Sequence, residues 1–344
     1  MKKIITIYDT TLRDGNHAVR HQLSLDDIKT YCEFADKSNI PIVEVGHGNG
    51  LGASSLQVGF AKYTDKKIIS RARKSLKKTL LSVHVMPGFA TIDDDLIPAL
   101  NEGVDMFRVG THCTEANISK KFIEFCSKNN TVSYGALMMS HMVDKKTLLD
   151  QAKIFQDYGA KGVSLFDSAG AYVPNEVEEK IEYLVKNLEI DVGFHAHNNL
   201  GLGVGNSLAA AKSGAKILDA AINGFGAGSG NANLEALAAS LNKSGYSTDI
   251  DLFKLLDFAT LSHEKITSKN LPKLTSLSII SGLSGVFSGF NKHIEDISKE
   301  YGVDPKLIYV ELGKNHVIGG QEDKIIEIAS KIKKNEKLFK RKNK

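Results

Sequence analysis

Short apolar runs rich in β-branched residues recur along the first two thirds of the chain, and stretches with helical periodicity separate them. The runs are continuous rather than alternating, which is typical of parallel strands covered by helices on both faces. They predict eight strands, at Ile4–Thr10, Pro41–His47, Leu80–Met86, Met106–His112, Val132–Met139, Gly162–Ser168, Asp191–His197 and Ile217–Asn223. Eight strand–helix units over about 225 residues predict an α/β fold, the (β/α)8 or TIM barrel, whose usual length is about 250 residues.

A doubly wound open sheet is the competing arrangement, and the position of the polar residues discriminates between the two. Most runs end in a residue with a polar side chain, namely Asp9, His47, His112, Ser168, His195, His197 or Asn223. A barrel builds its site from the carboxyl ends of many strands, whereas an open sheet concentrates the site at one switch point. The spread of these residues favours the barrel.

The pattern changes after about Leu252, where every further stretch is helical. The predicted helices lie at Leu252–Lys265, Ser284–Glu300, Pro305–Gly313 and Gln321–Lys333. We therefore expect a barrel domain at residues 1–250 and a helical domain with a basic tail at residues 251–344.

The net charge argues against a nucleic-acid partner. The chain has 44 Lys and Arg residues against 40 Asp and Glu, and much of the excess lies in a tail expected to be solvated and frayed. We therefore expect no nucleic-acid partner.

The cysteine pattern and the apolar runs predict a cytoplasmic location. Cys32, Cys113 and Cys126 lack the spacing of a disulfide framework or a zinc site, which favours reduced thiols. No apolar run approaches the roughly 18 residues of a membrane span, and the amino-terminal run reaches Asp9 too soon for an export signal. We expect no membrane partner.

Charged residues cluster directly after the first strand, where Arg13, Asp14 and His17 follow one another closely. A salt-bridged surface turn with Gly15 at positive φ is the structural alternative. In a barrel this position lies at the mouth, so the same residues are candidates for catalysis and metal binding.

The seventh strand ends in His195-Ala196-His197. Residues i and i+2 of a strand project to the same side, so both imidazoles can bind one ion. A barrel brings Asp14 within reach of the same point, and two imidazoles with one carboxylate leave coordination positions open for substrate. Such ligands suit Mn²⁺, Co²⁺, Fe²⁺ or Zn²⁺, and the pattern does not choose among them.

Weaker candidates lie after the sixth and eighth strands. Ser168 would either bind substrate or cap a turn. The glycine-rich segment Gly224–Glu235, which includes Asn231, would either support an anionic substrate or form a tight turn before a helix. His47 and His112 are more often structural in such positions.

In these segments the chain resembles the metal-dependent 4-hydroxy-2-oxovalerate aldolases of the pyruvate-carboxyltransferase-like metallolyase superfamily. The matching segments span nearly the whole chain, at Thr11–Gly15, Gly110–Ala116, Leu137–Met142, His195–His197 and Gly319–Asp323. The resemblance implies a barrel with a helical carboxyl-terminal domain. It also implies a divalent ion, usually Mn²⁺ with Co²⁺, Zn²⁺ or Mg²⁺ as alternatives, held by Asp14, His195 and His197.

The resemblance further implies that His17 is the general base on the 4-hydroxyl group and that Arg13 stabilises the enolate. Pyruvate and an aldehyde would be the products of cleavage, and the reverse condensation uses the same site. Superfamily members that condense acetyl-CoA typically carry glutamine where this chain has His17. This position therefore favours the aldolase reaction over a Claisen-type synthase or another carbon–carbon lyase.

One residue departs from the family pattern. Phe287 stands where these aldolases commonly carry a tyrosine whose hydroxyl lies over the substrate. We expect a relaxed or altered aldehyde preference and count Phe287, with Arg13, Asp14, Ser168 and His195, among the substrate-binding residues.

Many members of the family pair with an acylating aldehyde dehydrogenase, so such a partner and an oligomeric state are expectations that the resemblance raises. A metal-dependent hydrolase is a less favoured reading, because it needs further ligands and the middle strands offer only His112 and His141. A non-catalytic scaffold is disfavoured because the candidate metal ligands and His17 are all present.

Overall fold

The eight predicted strands close into a parallel barrel in the computed structural model, which describes residues 3–267 and 270–342, the last eight of these as backbone only. Neighbouring strands pair in chain order, and the last pairs with the first. The strands are β1 (Thr6–Leu12), β2 (Ile42–Val45), β3 (Leu80–Val85), β4 (Met106–His112), β5 (Val132–Met138), β6 (Gly162–Asp167), β7 (Asp191–Ala196) and β8 (Ile217–Ala220). The predicted (β/α)8 barrel is confirmed.

Strand β1 begins and ends two residues later than predicted. Ile4 is exposed and forms only an isolated bridge with Ser247, whereas Leu12 pairs with Val45 of β2. The polar residues near its end look like a turn in the sequence, but Asp9 is buried and accepts hydrogen bonds from the hydroxyls of Thr11 and Tyr31. Because polar groups satisfy one another there, the strand continues and carries Arg13 to the barrel mouth.

One helix follows each strand. These helices are α1 (Leu25–Lys37), α2 (Asp65–Ser75), α3 (Ile97–Asn101), α4 (Lys120–Lys128), α5 (Lys145–Asp157), α6 (Pro174–Asn187), α7 (Gly203–Lys212) and α8 (Leu234–Lys243). Side-chain caps fix several starts: the Ser24 hydroxyl accepts from the Asp27 N–H, and the Asp27 carboxylate accepts from the Ser24 N–H. A π-helical turn at Ile92–Leu96 precedes α3 and lengthens the helical segment between β3 and β4.

Apolar side chains fill the space between strands and helices and also close one end of the barrel interior. The interior cluster consists of Tyr8, Ile42, Met106 and Ile217, which come from the beginnings of their strands. The carboxyl ends of the strands lie at the opposite end of the interior, where barrel enzymes build their sites.

The rest of the described chain is helical. It contains α9 (Leu252–Ser262), α10 (Ser276–Ser284), α11 (Asn291–Tyr301), α12 (Pro305–Lys314) and α13 (Asp323–Lys342). Leu255 and Phe258 of α9 pack into the barrel's core, whereas α10 to α13 surround a second core that includes Ile294 and Leu312. The division at residues 250 and 251 stays a prediction. Within residues 3–267 and 270–342, no helix is long and apolar enough to cross a membrane.

The predicted helix at Ser284–Glu300 is wrong at its beginning. Helix α10 ends at Ser284, Gly285 adopts a φ of 64°, and a 3₁₀ turn at Ser288–Phe290 precedes α11. A left-handed glycine ends a helix at little steric cost, which explains the break.

The charge run at the carboxyl terminus predicts a frayed end, but the basic segment is helical as far as Lys342. The apolar spacing of Ile325, Ile328 and Ile332 supports the earlier turns of α13. Residues 343–344 lie outside the described residues.

Candidate metal centre

A 3₁₀ turn at Asp14–His17 follows β1 and places its charged residues in the barrel mouth. Arg13 and Asp14 are only 5% and 4% exposed, so the alternative of a salt-bridged surface turn is wrong. Gly15 lies outside the left-handed region, and a Cβ there would lie 2.6 Å from the Phe225 ring. Close packing, rather than positive φ, requires a glycine at this position.

His195 of β7 and His197, which directly follows the strand, lie opposite this turn with their rings turned toward each other. The Nε2 atoms of His195 and His197 are 3.4 Å apart. Each Nδ1 atom faces an oxygen acceptor, Asp219 Oδ2 at 2.8 Å for His195 and the Gly230 carbonyl at 3.3 Å for His197. These acceptors hold the ring protons on Nδ1, so the lone pairs of both Nε2 atoms face the same point.

Asp14 completes a group of three buried donors within 4.8 Å of one another. A search of the described residues for three or more His, Cys, Asp or Glu side chains close enough to hold one ion gives this group. The two facing lone pairs and the carboxylate repel one another unless a cation lies between them. In addition, Asn231 Oδ1 is a buried acceptor on a neighbouring side chain and has no hydrogen-bond partner among the described residues. The residues present fit a divalent ion with mixed nitrogen and oxygen ligands.

The glycine-rich segment after β8 holds the carboxylate of Asp14. Its Oδ2 atom accepts from the Asn231 side-chain amide at 2.8 Å and from the Ala227 N–H at 3.1 Å. A Cβ at Gly226 would lie 2.8 Å from the same oxygen. Asn231, a supporting residue in the sequence analysis, therefore lies beside the predicted metal ligand, and the segment is both a tight turn and part of the site.

The surroundings keep Asp14 and His197 in the protonation states that bind metal. Burial alone would raise the pKa of Asp14, but Arg13 and the imidazoles of His197 and His17 hold it well below its ordinary value. Burial lowers the pKa of His197 to about 4. A carboxylate and a neutral imidazole are the forms that coordinate a cation.

Arg13 lies between the candidate ligand and the barrel interior. Its Nε atom donates to Glu44 Oε2 at 2.6 Å, and its Nη1 atom donates to Asp14 Oδ1 at 3.0 Å and to the Gly48 carbonyl at 3.2 Å. The Nη2 atom is buried and has no partner within the described residues. An unpaired buried donor beside the ion site is suited to bind an anionic oxygen of a ligand.

His17 is half-buried against the loop after β2, and a Cβ at Gly48 would overlap its imidazole ring. Two further histidines that the sequence analysis did not assign to the site adjoin it. The His21 ring lies 4.9 Å from that of His17, and His47 stacks on His21 at 3.6 Å. Nothing in the sequence places His21 there except its spacing of four residues from His17.

Burial lowers the pKa of His17, and the carboxylate of Asp14 opposes this shift while the Arg13 guanidinium adds to it. Burial likewise lowers the pKa of His21 to about 3 and that of His47 to about 4. All three imidazoles are therefore neutral near pH 7. A neutral imidazole at the mouth of the site is suited to accept a proton.

Of the other predicted substrate residues, Ser168 lies directly after β6, whereas Phe287 packs against the second core in the helical region. The Ser168 hydroxyl accepts the Met139 N–H at 3.0 Å, which supports the loop after β5 and leaves its own proton to donate. The Phe287 ring packs near Phe290 and Gly319. A Cβ at Gly228 of the glycine-rich segment would lie 3.0 Å from Ser288, so the residue after Phe287 adjoins the loop that holds Asp14.

Three charged residues inside the barrel were missed in the sequence analysis. Glu44, Arg108 and Asp219 lie within β2, β4 and β8 and are at most 1% exposed. In the sequence each of them is a single charged residue inside an otherwise apolar run, and the run gives no indication of which residue it pairs with. With Arg13 and Asp14 they place two guanidinium groups against three carboxylates, which leaves one negative charge for a cation to balance.

Comparison with known proteins identifies the barrel and the helical region separately. Residues 4–261 match the family described as HMGL-like, and residues 272–334 match the DmpG-like communication domain. The chain is 50% identical over 329 residues to 4-hydroxy-2-oxovalerate aldolase from Spirochaeta aurantia, and the match covers 96% of each chain. It is 49% identical over 334 residues to 4-hydroxy-2-oxovalerate aldolase from Pectobacterium atrosepticum, with 97% of each chain covered.

Among solved structures, the carboxyl transferase domain of Rhizobium etli pyruvate carboxylase is similar in fold. The TM-score is 0.80 at 15% identity, and the match covers 97% of this chain and 61% of that chain. At this identity the likeness shows the shared fold alone.

Proposed function

The chain belongs to the HMGL-like family, in the group of 4-hydroxy-2-oxovalerate aldolases, and we propose that its barrel site cleaves a 4-hydroxy-2-oxoacid such as 4-hydroxy-2-oxopentanoate into pyruvate and an aldehyde. The observation that carries the proposal is the convergence of both imidazole Nε2 atoms and Asp14 beside an unpaired arginine donor and a neutral histidine. Condensation of the same products is the reverse of this reaction.

Asp14, His195 and His197 would hold the divalent ion, and Mn²⁺ is our proposal for its identity, with Co²⁺, Zn²⁺ and Mg²⁺ as alternatives. When bound, the ion would supply Lewis-acid stabilisation of the charge that develops on the keto oxygen. The deprotonated state of Asp14 and the neutral state of His197 support this assignment. The hydrolase reading is disfavoured because His112 and His141 are not part of the three-residue group among the described residues.

Arg13 is proposed to bind the enolate oxygen. Cleavage breaks the bond between C3 and C4, and its electron pair passes to the pyruvate half as an enolate. The three contacts that fix the Arg13 guanidinium are to two carboxylates and one carbonyl, and Nη2 is left for this oxygen. A donor held in place before the reaction stabilises developing charge without further reorganisation.

His17 is proposed as the general base. It would take the proton from the 4-hydroxyl group as the aldehyde carbonyl forms, and a proton then returns to C3 to give pyruvate. Its lowered pKa keeps the accepting form available near pH 7.

Ser168, directly after β6, and Phe287, in the helical region, are proposed as further substrate-binding residues. The free proton of the Ser168 hydroxyl supports a hydrogen bond to the oxoacid. Phe287 offers no hydroxyl, so we propose a relaxed preference for the configuration at C4, which Phe287→Tyr should tighten.

The helical region is proposed as a docking site for an acylating aldehyde dehydrogenase that receives the aldehyde. The match of residues 272–334 to a communication domain supports this proposal. The oligomeric state and the cytoplasmic location stay predictions from the sequence.

The test is release of pyruvate and acetaldehyde from racemic 4-hydroxy-2-oxopentanoate by metal-free protein with and without Mn²⁺. We expect equal amounts of both products only with metal, and a loss in kcat of about 10²–10⁴-fold for His17→Ala. His293→Ala, which removes an exposed imidazole on α11, is the matched control and should behave as the unaltered protein. Absence of cleavage together with acetyl-CoA-dependent condensation would replace the aldolase with a Claisen-type synthase.

A further inference from the structure

A continuous chain of buried charges crosses the barrel interior from Arg13 to His195. Glu44 Oε2 accepts from Arg13 Nε at 2.6 Å and from Arg108 Nη2 at 2.7 Å, and Glu44 Oε1 accepts from Arg108 Nε at 2.9 Å. Arg108 Nη1 donates to Asp219 Oδ2 at 2.5 Å, and that oxygen also accepts from His195 Nδ1 at 2.8 Å. Arg108 is thus the central member, with one carboxylate on each side.

Two aromatic rings hold the plane of the Arg108 guanidinium. Its central carbon lies 3.8 Å from the centroid of the Tyr8 ring and 4.9 Å from that of Phe166. Phe166 in turn stacks on the imidazole of His195, with ring centroids 4.4 Å apart. Arg108 therefore reaches His195 by two routes, through Asp219 and through Phe166.

A contribution to stability is a weak explanation for this arrangement. Barrel interiors are usually filled with branched apolar side chains, and well-packed apolar residues often replace a buried ion network without loss of stability. The chain of charges does have a geometric consequence, because its two ends are the guanidinium proposed to bind the enolate oxygen and an imidazole proposed to bind the metal.

We propose that Arg108 is a positioning residue that fixes Arg13 relative to His195, so that the guanidinium and the metal ion face the same substrate oxygen. The part of this inference that concerns Arg13 and catalysis rests on the proposed function. The part that concerns His195 and metal binding, its metal-binding half, rests on the geometry alone. Asp219 holds the proton of His195 on Nδ1, which keeps the Nε2 lone pair for the ion. Glu44 holds the Nε side of Arg13, which leaves Nη2 for the substrate.

The test compares Arg108→Lys with Arg73→Lys. Lysine keeps the positive charge between Glu44 and Asp219, but one ammonium group cannot reproduce the three directed bonds of the guanidinium. Arg73 is the matched control, because it too bonds a carboxylate, that of Asp105 at 2.7 Å, but lies outside the barrel, where it also bonds the Leu76 carbonyl at 2.9 Å. The readouts are the affinity for Mn²⁺, measured by the electron paramagnetic resonance of the free ion, and kcat at saturating Mn²⁺.

We expect Arg108→Lys to weaken Mn²⁺ binding by about 10–100-fold and to lower kcat at saturating Mn²⁺ by up to about 10²-fold. Arg73→Lys should change neither. A folded Arg108→Lys protein with unaltered Mn²⁺ affinity and unaltered kcat would overturn the proposal.

Asp219→Asn is the second variant and decides the matter if Arg108→Lys does not fold. The proposal predicts weaker Mn²⁺ binding and, in addition, a lower kcat once Mn²⁺ is saturating, because Arg108 loses one anchor and Arg13 shifts with it. Weaker binding with an unaltered kcat would show a local role for Asp219 and overturn the coupling to Arg13. If the unaltered protein cleaves no 4-hydroxy-2-oxoacid, the proposed function fails, whereas the Mn²⁺ affinities of the Arg108 and Arg73 variants still test the metal-binding half.

Discussion

At Gly48 a glycine is required by the close approach of a neighbouring side chain and not by the backbone conformation of Gly48 itself. A Cβ at this position would overlap the imidazole of His17, and Gly48 also accepts a hydrogen bond from Arg13 and donates one to His21. We predict that Gly48→Ala displaces His17 and lowers kcat by about 10-fold or more, since a shift of about 1 Å is costly to positioned groups. Steady-state kinetics at saturating Mn²⁺ measures this.

Gly205→Ala is the matched control for that substitution, because Gly205 is exposed on α7 and a Cβ there would contact nothing within 4 Å. It should leave kcat unaltered. Equal kcat for the two variants would mean that His17 is not held by Gly48 or does not act in the reaction.

The lowered pKa of His17 has a direct consequence for the pH dependence of cleavage. A general base works in its neutral form, so kcat is constant above the pKa of His17 and falls as the pH drops through it. Because burial lowers this pKa, we predict an acid limb below the ordinary imidazole value of about 6.5. The measurement is kcat from pH 4.5 to 8 with Mn²⁺ occupancy confirmed at each pH, and a limb at or above pH 6.5 would contradict the assignment.

At the scale of elements, the break between α10 and α11 joins the helical region to the barrel. Gly285 has a φ of 64°, its carbonyl accepts from His141 Nε2 at 3.0 Å, and a Cβ there would lie 2.9 Å from the same nitrogen. We predict that Gly285→Ala destabilises the protein by about 1–2 kcal/mol from the left-handed backbone alone, and by more because of His141. Urea unfolding measures the change.

Gly302→Ala separates the two contributions. Gly302 ends α11 with the same φ of 64°, but a Cβ there would meet nothing within 4 Å. It should cost less free energy of unfolding than Gly285→Ala. A smaller loss at Gly285 than at Gly302 would contradict the contact with His141.

The strands could be predicted from the sequence and the helical region only in part. Buried parallel strands leave continuous β-branched runs, so β4 matches its prediction and β1 differs by two residues. The segment from Ser284 to Phe290 offers no such signal, because glycine and serine are compatible with a helix, a turn or a cap, and packing against His141 decides between them.

At the scale of the whole molecule, the candidate site could be predicted where its residues are adjacent in sequence. His195 and His197 are two residues apart in extended chain at the end of β7, and Arg13, Asp14 and His17 lie in or beside one turn, so spacing alone brings each set together. Arg108 is 64 residues from Glu44 and 111 from Asp219, and no local pattern pairs residues at such separations. These contacts exist only because the barrel closes.

The measurement that tests the central claim most directly is a titration of metal-free protein with Mn²⁺ while pyruvate release from 4-hydroxy-2-oxopentanoate is followed. Because Asp14, His195 and His197 form one buried donor group, we predict that release rises from zero and saturates at one ion per chain. His195→Ala should require far more Mn²⁺ for any release. Full release by the metal-free protein, or a titration curve that His195→Ala leaves unaltered, would contradict a metal-dependent aldolase at this site.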